Sequence, residues 1–451
     1  MESDSILLGA ISDDYTGGAD LASMLSERGV RTVQVLSLQA DELMARLQGY
    51  EAVVISLKSR SLPADEACTL SRRALNQLTR LKPRQIHFKY CSTFDSTPMG
   101  NIGPVIETLM DALGVGFTIA VPALPVNLRT QYLGHLFVGS QLLSESHMRH
   151  HPLTPMTDAN LVRHLQTQTR LRLGVGLIAH PLVRSGAEAI KQECSRLQDE
   201  GMAVALVDAI CDEDLAQIAE AAIDLSFITG GSGLAMALPA AWTKRGWLSC
   251  EPRSRSHSGT SADPVLILSG SCSPVTLRQI QHLRNSGCAA IPLDVCRLIS
   301  HGPDEEIARL LSEVKAAMNP NVPVMVFSSA TIQERERVLR QAAASGFSPE
   351  RVYALIEQVL AAVARQAVES GQVRRLVVAG GETSGAVMDA LKIQAVEVVE
   401  VIASGVPSLK SIGGTTLALA LKSGNFGGPD FFLEAIRSLR EISLPAGGPT
   451  L

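Results

Sequence analysis

At 451 residues the chain is too long for one ordinary hydrophobic core and long enough for two domains. Hydrophobic residues make up 46% and charged residues 19%, and small aliphatics rather than aromatics carry the apolar fraction. That excludes a disordered chain and suits α/β layers. The formal net charge of -5 is spread along the sequence, which argues against nucleic acid or an anionic membrane as partner and for a small-molecule ligand.

Met1 to Ser5 is polar and acidic and runs into a strand-like segment, unlike a signal peptide. No apolar run approaches the ~20 residues needed to span a bilayer. The eight cysteines are scattered without a C-x-x-C pair, as expected of reduced thiols in a cytoplasmic protein. Composition leaves a homodimer open.

Short apolar runs then alternate with helical stretches. Strands are predicted at 6–11, 31–36, 51–56, 85–90, 117–121, 203–207 and 226–229, the pattern of a parallel sheet with crossover helices. Residues 131–158 break the rhythm with a polar, proline-bearing excursion, read as a substrate loop or lid. Within it His147, His150 and His151 suit a solvated turn or substrate loop better than a metal site, so no metal ligands are assigned. Residues 250–264 (CEPRSRSHSGTSADP) have a linker's composition. Beyond them strands are predicted at 265–269, 289–292, 322–327, 374–379 and 395–401, with helices at 274–285, 304–318 and 349–369. The fold class expected is α/β: two doubly wound open-sheet domains, 1–249 and 265–451, with a ligand cleft between them.

Three stretches carry chemistry. Ser12-Asp13-Asp14-Tyr15-Thr16-Gly17-Gly18 follows the first strand, where the carboxyl ends of parallel strands face ligand; a simple Asp helix cap would explain one of the acids. Lys89 to Gly103 brings one Lys, Asp95, Asn101 and the hydroxyls of Ser92, Thr93, Ser96 and Thr97 together after another strand. This set suits a polyhydroxy acid, with a cation for its carboxylate or for a transferred phosphate, although a Ser/Thr-rich capping turn would look similar. The third is distributed: Ser269-Gly270-Ser271, Gly380-Gly381-Glu382-Thr383 and Lys422-Ser423-Gly424-Asn425 each join a strand to a glycine turn. Three such turns on one sheet make a cradle for phosphates from backbone N–H groups. No G-x-x-x-x-G-K-[ST] loop, intact G-x-G-x-x-G after the first strand or H-E-x-x-H helix occurs.

The stretches SDDYTGGAD, FKYCSTFDSTPMGNIGPV, GGETSG and LKSGNFGGPDFF, with the central YLGHLFVGSQLLSES segment, resemble the four-carbon acid sugar kinase family from residue 12 to residue 432. Pro98-Met99 after Asp95-Ser96-Thr97, where many members carry Leu-Arg, is similar to the 3-oxo-tetronate 4-kinase branch and leaves open which residue meets the substrate carboxylate. The resemblance implies a sugar acid on the N-terminal domain and ATP with Mg²⁺ on the C-terminal one. It places Asp13, Arg60, Ser92, Ser96 and Asn101 at the substrate, and Asp14, Lys89 and Asp95 in catalysis. Ser269, Ser271, Gly380, Gly381, Glu382, Thr383, Gly424 and Asn425 would contact nucleotide. A threonate or erythronate kinase of the same family, and a non-catalytic sugar-acid-binding regulator, are the alternative readings.

Overall fold

A computed structural model describes residues 6–38, 41–44, 46–151, 154–169, 174–249, 263–329, 331–403, 405–422, 424 and 426–445. The chain divides into two units, Met1–Arg253 and Ser254–Leu451. Most of the stretch with linker composition, and Asn425, lie outside the described residues.

The first unit begins β1 (Leu8–Ser12), α1 (Tyr15–Glu27), β2 (Thr32–Val35), α2 (Asp41–Met44), β3 (Ala52–Ser56), α3 (Ala64–Arg80), β4 (Gln85–Lys89), α4 (Ile102–Leu113) and β5 (Thr118–Val121). It continues with β6 (Arg129–Tyr132), β7 (His135–Val138), β8 (Gln141–Leu142), α5 (Leu161–Gln168), β9 (Gly174–Ile178), α6 (His180–Val183), α7 (Ala187–Asp199), β10 (Met202–Val207), α8 (Asp212–Ala222), β11 (Phe227–Gly230) and α9 (Ser232–Lys244). Eight strands form a parallel sheet in the order β2-β3-β1-β4-β11-β5-β10-β9. Its central strands β1, β3 and β4 are buried at every position; β1 and β3 accordingly read as near-continuous apolar runs, whereas β4 alternates buried Gln85, His87 and Lys89 with Ile86 and Phe88.

Strand alternation assigns the two faces. Gly9 of β1 lies against Leu78 of α3, whereas Lys89, paired with Ser12 and so out of phase with Gly9, lies against Gly17 of α1. The excursion at 131–158 contains most of an antiparallel β6-β7-β8 sheet. The buried Asp208 carboxylate ties it down, accepting from Gln131 Nε2 at 3.1 Å, Leu133 N at 2.6 Å, Gly134 N at 3.0 Å and His180 N at 3.0 Å.

The second unit runs β12 (Val265–Ser269), α10 (Pro274–Asn285), β13 (Ala289–Pro292), α11 (Val295–His301), α12 (Pro303–Ala317), β14 (Val324–Phe327), α13 (Ile332–Ala344), α14 (Pro349–Glu369), β15 (Arg375–Ala379), α15 (Gly381–Ala390), β16 (Ala395–Ala403), β17 (Val406–Ile412), β18 (Ala418–Lys422) and α16 (Phe431–Glu441). Strands β13-β14-β12-β15-β18 pair in parallel, and β17 and β16 extend the sheet antiparallel, a pairing the purely parallel expectation lacks. Leu277, Ile280 and Leu283 of α10 and Phe431, Phe432 and Leu439 of α16 bury one face of β12, β15 and β18. Helix α10 starts where the sequence predicts, with Ser273 Oγ accepting from Thr276 N at 3.2 Å and proline in the first turn.

Candidate functional site

The first cluster forms at the carboxyl ends of β1, β3 and β4. Asp14 is the N-cap of α1 and accepts from Gly17 N at 2.8 Å, so the cap reading holds for it. It also meets Arg60 Nη2 at 2.8 Å. Asp13 is held more deeply: Arg60 grips it through Nε at 2.9 Å and Nη2 at 2.8 Å, a two-pronged guanidinium–carboxylate pair. A third carboxylate, Asp95, lies 3.9 Å from Arg60 Nη1 and accepts from Thr93 Oγ1.

Arg60 thus faces three acids. Burial lowers its affinity for a proton, but the hydrogen bonds and charge of Asp13 outweigh that and hold the guanidinium well above its ordinary range. Burial pushes the Asp13 carboxyl up, offset only in part by the Arg60 fork. Burial likewise raises the neighbouring Cys91 thiol, to about 11, so it is no thiolate near neutrality.

Space at this site is set by glycine. A Cβ on Gly17 would stand 2.1 Å from Lys89 Nζ and 2.3 Å from Asp14 Oδ1, and one on Gly18 would stand 1.9 Å from Ser56 Oγ. The Thr-Gly-Gly turn therefore lets α1 settle onto the ends of β3 and β4, bringing Asp14 beside the Lys89 ammonium.

The remaining residues divide by what they touch. Asn101 Nδ2 donates to the carbonyls of Ser59 at 2.9 Å, Arg60 at 3.2 Å and Leu62 at 3.0 Å, so its amide fixes the loop that carries Arg60. Ser96 is buried, its Oγ accepting from Gln168 Nε2 at 2.9 Å and its carbonyl lying 2.7 Å from His164 Nε2. Both support the loop from within. Ser92 is partly exposed beside the turn after β11. That turn, Gly230-Gly231-Ser232, escapes the sequence reading although it repeats the strand-then-glycine-pair signal of β1. Its Ser232 Oγ donates to Asp20 of α1.

In the second unit the three glycine turns close the carboxyl ends of the neighbouring strands β12, β15 and β18. The N–H groups of Gly270 and Ser271 both donate to Ala379 O at 3.1 Å, and Gly380 N donates to Lys422 O at 2.9 Å. Gly380 has φ 129, a conformation costly for a residue with a side chain, and a Cβ there would reach Thr383 Oγ1 at 2.9 Å. The carbonyl of Gly424 accepts from Ser273 Oγ, from Thr276 Oγ1 at 2.8 Å and from Lys422 Nζ at 3.2 Å. Lys422 is buried over the Phe431 ring, and burial draws its ammonium down to about 8.

Gly381, Glu382 and Thr383 form the first turn of α15, whose N-terminus has no side-chain cap. The Ser269 and Ser384 hydroxyls are buried without a protein partner. Uncapped N–H groups and orphaned hydroxyls at one sheet edge are the donors a polyphosphate needs.

Two family models match the chain in turn. A family described as the sugar-binding N-terminal domain matches residues 8–238, and one described as the nucleotide-binding C-terminal domain matches residues 266–432. The chain belongs to the four-carbon acid sugar kinase family. Relatives named 3-oxo-tetronate kinase include one from Pseudomonas fluorescens, 46% identical over 96% of this chain and 97% of that one. Another, from Cupriavidus necator, is 44% identical over 96% and 97%. Among solved structures, Haemophilus influenzae protein HI1011 superposes with a TM-score of 0.83 at 38% identity, covering 95% of this chain and 98% of its own. Membership in this kinase family implies a sugar acid and a nucleotide as substrates. Among the described residues no helix is long and apolar enough to cross a membrane.

Proposed function

We propose that the protein is a 3-oxo-tetronate 4-kinase that transfers the γ-phosphoryl group of ATP to O4 of the acid. On this reading residues 1–249 bind the acid, residues 265–451 bind ATP, and 250–264 join them. The near-full-length likeness to relatives named for this activity supports the substrate. The observation that carries the mechanism is the contrast among the three carboxylates: the Asp14 side chain is 28% exposed, against 5% for Asp13 and 12% for Asp95. Asp14 is the acid that a substrate hydroxyl can reach.

The chemistry follows from that exposure. Asp14 accepts the O4 proton as the oxygen attacks the γ-phosphorus; the O4–P bond forms, the bond to the bridging oxygen breaks, and ADP leaves. Arg60 fixes the base, and Asn101 fixes Arg60. The glycine turns shape the shelf, and the uncapped α15 N-terminus with the Ser269 and Ser384 hydroxyls holds the triphosphate through donors oriented before the ligand arrives. Among the described residues no group of three or more His, Cys, Asp or Glu side chains could hold a metal, and Arg60 engages the acids of the first cluster. Mg²⁺ is therefore proposed to come on the ATP phosphates, where it supplies charge neutralisation.

Among the described residues no disulfide links the seven cysteines, which fits a reducing cytoplasm. An ADP-release assay across four-carbon acids, oxidised and unoxidised at C3, tests the proposal. Turnover confined to the oxidised acids supports it; faster turnover of threonate or erythronate selects the alternative kinase, and no ADP with any acid leaves the regulator.

A further inference from the structure

The Asp95-Ser96-Thr97-Pro98-Met99 stretch carries no cation for the substrate carboxylate. Met99, at 89% exposure, reaches into solvent and offers no replacement. Lys89 does. It ends β4 and is 4% exposed, and among the described residues nothing gives its side chain a hydrogen bond or an ion pair. Its ammonium lies near Asp13 and Asp14 without a hydrogen bond to either, and a ligand carboxylate would supply that bond.

Two helices point at the same place. On one side Lys89 Nζ lies over the first turn of α1, in the gap that Gly17 leaves. On the other, Lys89 pairs with Gly230, and the next two residues open α9, a 13-residue helix whose N-cap, Gly231, makes no side-chain cap bond. Asp20 holds the first residue of α9 against α1 through the Ser232 hydroxyl. The α9 start thus follows the backbone partner of Lys89 and is tied to α1, the helix against which the Lys89 ammonium lies, and a helix start favours an anion.

Which anion binds there follows from depth. Lys89 sits at the floor of the cluster, whereas the hydroxyl that meets the incoming triphosphate must lie at the open side, near the more exposed Asp14. If O4 is at the mouth, the opposite end of a four-carbon acid, its carboxylate, is the end at the floor. We propose that Lys89, together with the uncapped first turn of α9, anchors the substrate carboxylate and makes the enzyme select an acid over a neutral four-carbon sugar. This rests on the reading of the first cluster as the sugar-acid site, and it moves Lys89 from the transferring phosphoryl group to the far end of the substrate.

The test compares 3-oxo-tetronate with the ketotetrose in which CH₂OH replaces the carboxylate, using the full-length protein. The wild type should favour the acid by roughly 10²-fold in kcat/KM, the size of one buried charge-assisted contact. In Lys89→Met the acid should lose about that factor through KM, while the ketotetrose changes less than about threefold, so discrimination collapses. Lys89→Gln, with thermal unfolding of both variants, guards against a folding defect. Calorimetry of the acid without nucleotide separates the two layers of the argument. A wild type that binds the acid without turning it over, beside a Lys89 variant that has lost binding, sustains the anchor and refutes the kinase. A folded Lys89 variant that binds the acid as tightly as wild type, or that loses kcat equally on both sugars at unchanged KM, overturns the anchor.

Discussion

The most informative perturbation adds a single methyl group. Gly17→Ala places a Cβ 2.1 Å from Lys89 Nζ, 3.2 Å from Lys89 Cε and 2.3 Å from Asp14 Oδ1. The lysine contacts involve the far end of a flexible side chain, which can swing aside at small cost. The Asp14 carboxylate must rotate, and losing an N-cap bond costs about 1 kcal/mol. Against this, Ala gains up to about 1 kcal/mol of helix propensity over Gly. Stability should therefore change by no more than about 1 kcal/mol, a shift of roughly 2–4 °C for a unit of this size. Activity should suffer far more, because a displacement of about 1 Å in a positioned group can cost about 10²-fold. We expect kcat/KM to fall 10²- to 10³-fold by ADP release, with thermal unfolding nearly unchanged. Gly18→Ala is the contrast. Its Cβ would meet Ser56 Oγ at 1.9 Å and Ser56 Cβ at 3.1 Å on a buried strand that cannot retreat. It should lose about 1–3 kcal/mol of stability through overpacking. A folded Gly17→Ala protein within threefold of wild-type kcat/KM would refute the placement of Asp14 at the reacting centre and of Lys89 at the substrate.

Three further outcomes follow. Asp14→Asn should lower kcat by about 10²- to 10⁴-fold with the fold intact, as expected for loss of a general base; near-normal turnover in steady-state kinetics would remove Asp14 from that role. Asn101→Ala deprives the carbonyls of Ser59, Arg60 and Leu62 of their shared donor, so chemical denaturation should show a loss of about 1–3 kcal/mol, with a raised KM for the acid as the Arg60 loop loosens. Lys422 has a proton affinity drawn down from 10.5 to about 8, so between those values the unfolded chain binds more protons than the folded one. Wild-type stability should therefore gain on Lys422→Met as pH rises from about 8 to about 10.5, by an amount on the order of 2–3 kcal/mol, and a flat difference in paired denaturant titrations would contradict the burial argument.

The α/β class was legible because most central parallel strands are apolar on both faces: β1, β3, β12 and β15 stand out as runs. Strands β6 to β9 did not, since the polar hairpin segments and the glycine-rich start of β9 lack that signature; β17 and β18 also escaped the periodicity reading. At the site, residues near one another in sequence were easy to group, as with Asp13, Asp14 and the glycines after them. Ser96 and Asn101 were legible as polar residues but not in their contacts. The Gln168 bond to Ser96 and the Asn101 bonds to 59–62 join segments about 40 or 70 residues apart, which no local pattern encodes. Gly230-Gly231-Ser232 could have been found by the rule that singled out Thr16-Gly17-Gly18. Lys422 shows its role only once burial and the Gly424 carbonyl are seen together.

The central claim is that phosphate passes from ATP to the terminal hydroxyl of a 3-oxo-tetronate. Two-dimensional ³¹P–¹H correlation of the product mixture tests it most directly. The account predicts one new phosphomonoester coupled to the C4 methylene protons, formed in step with ADP and absent with Asp14→Asn. Phosphorus coupled to the C2 proton, or ADP released without any phosphorylated acid, would contradict it.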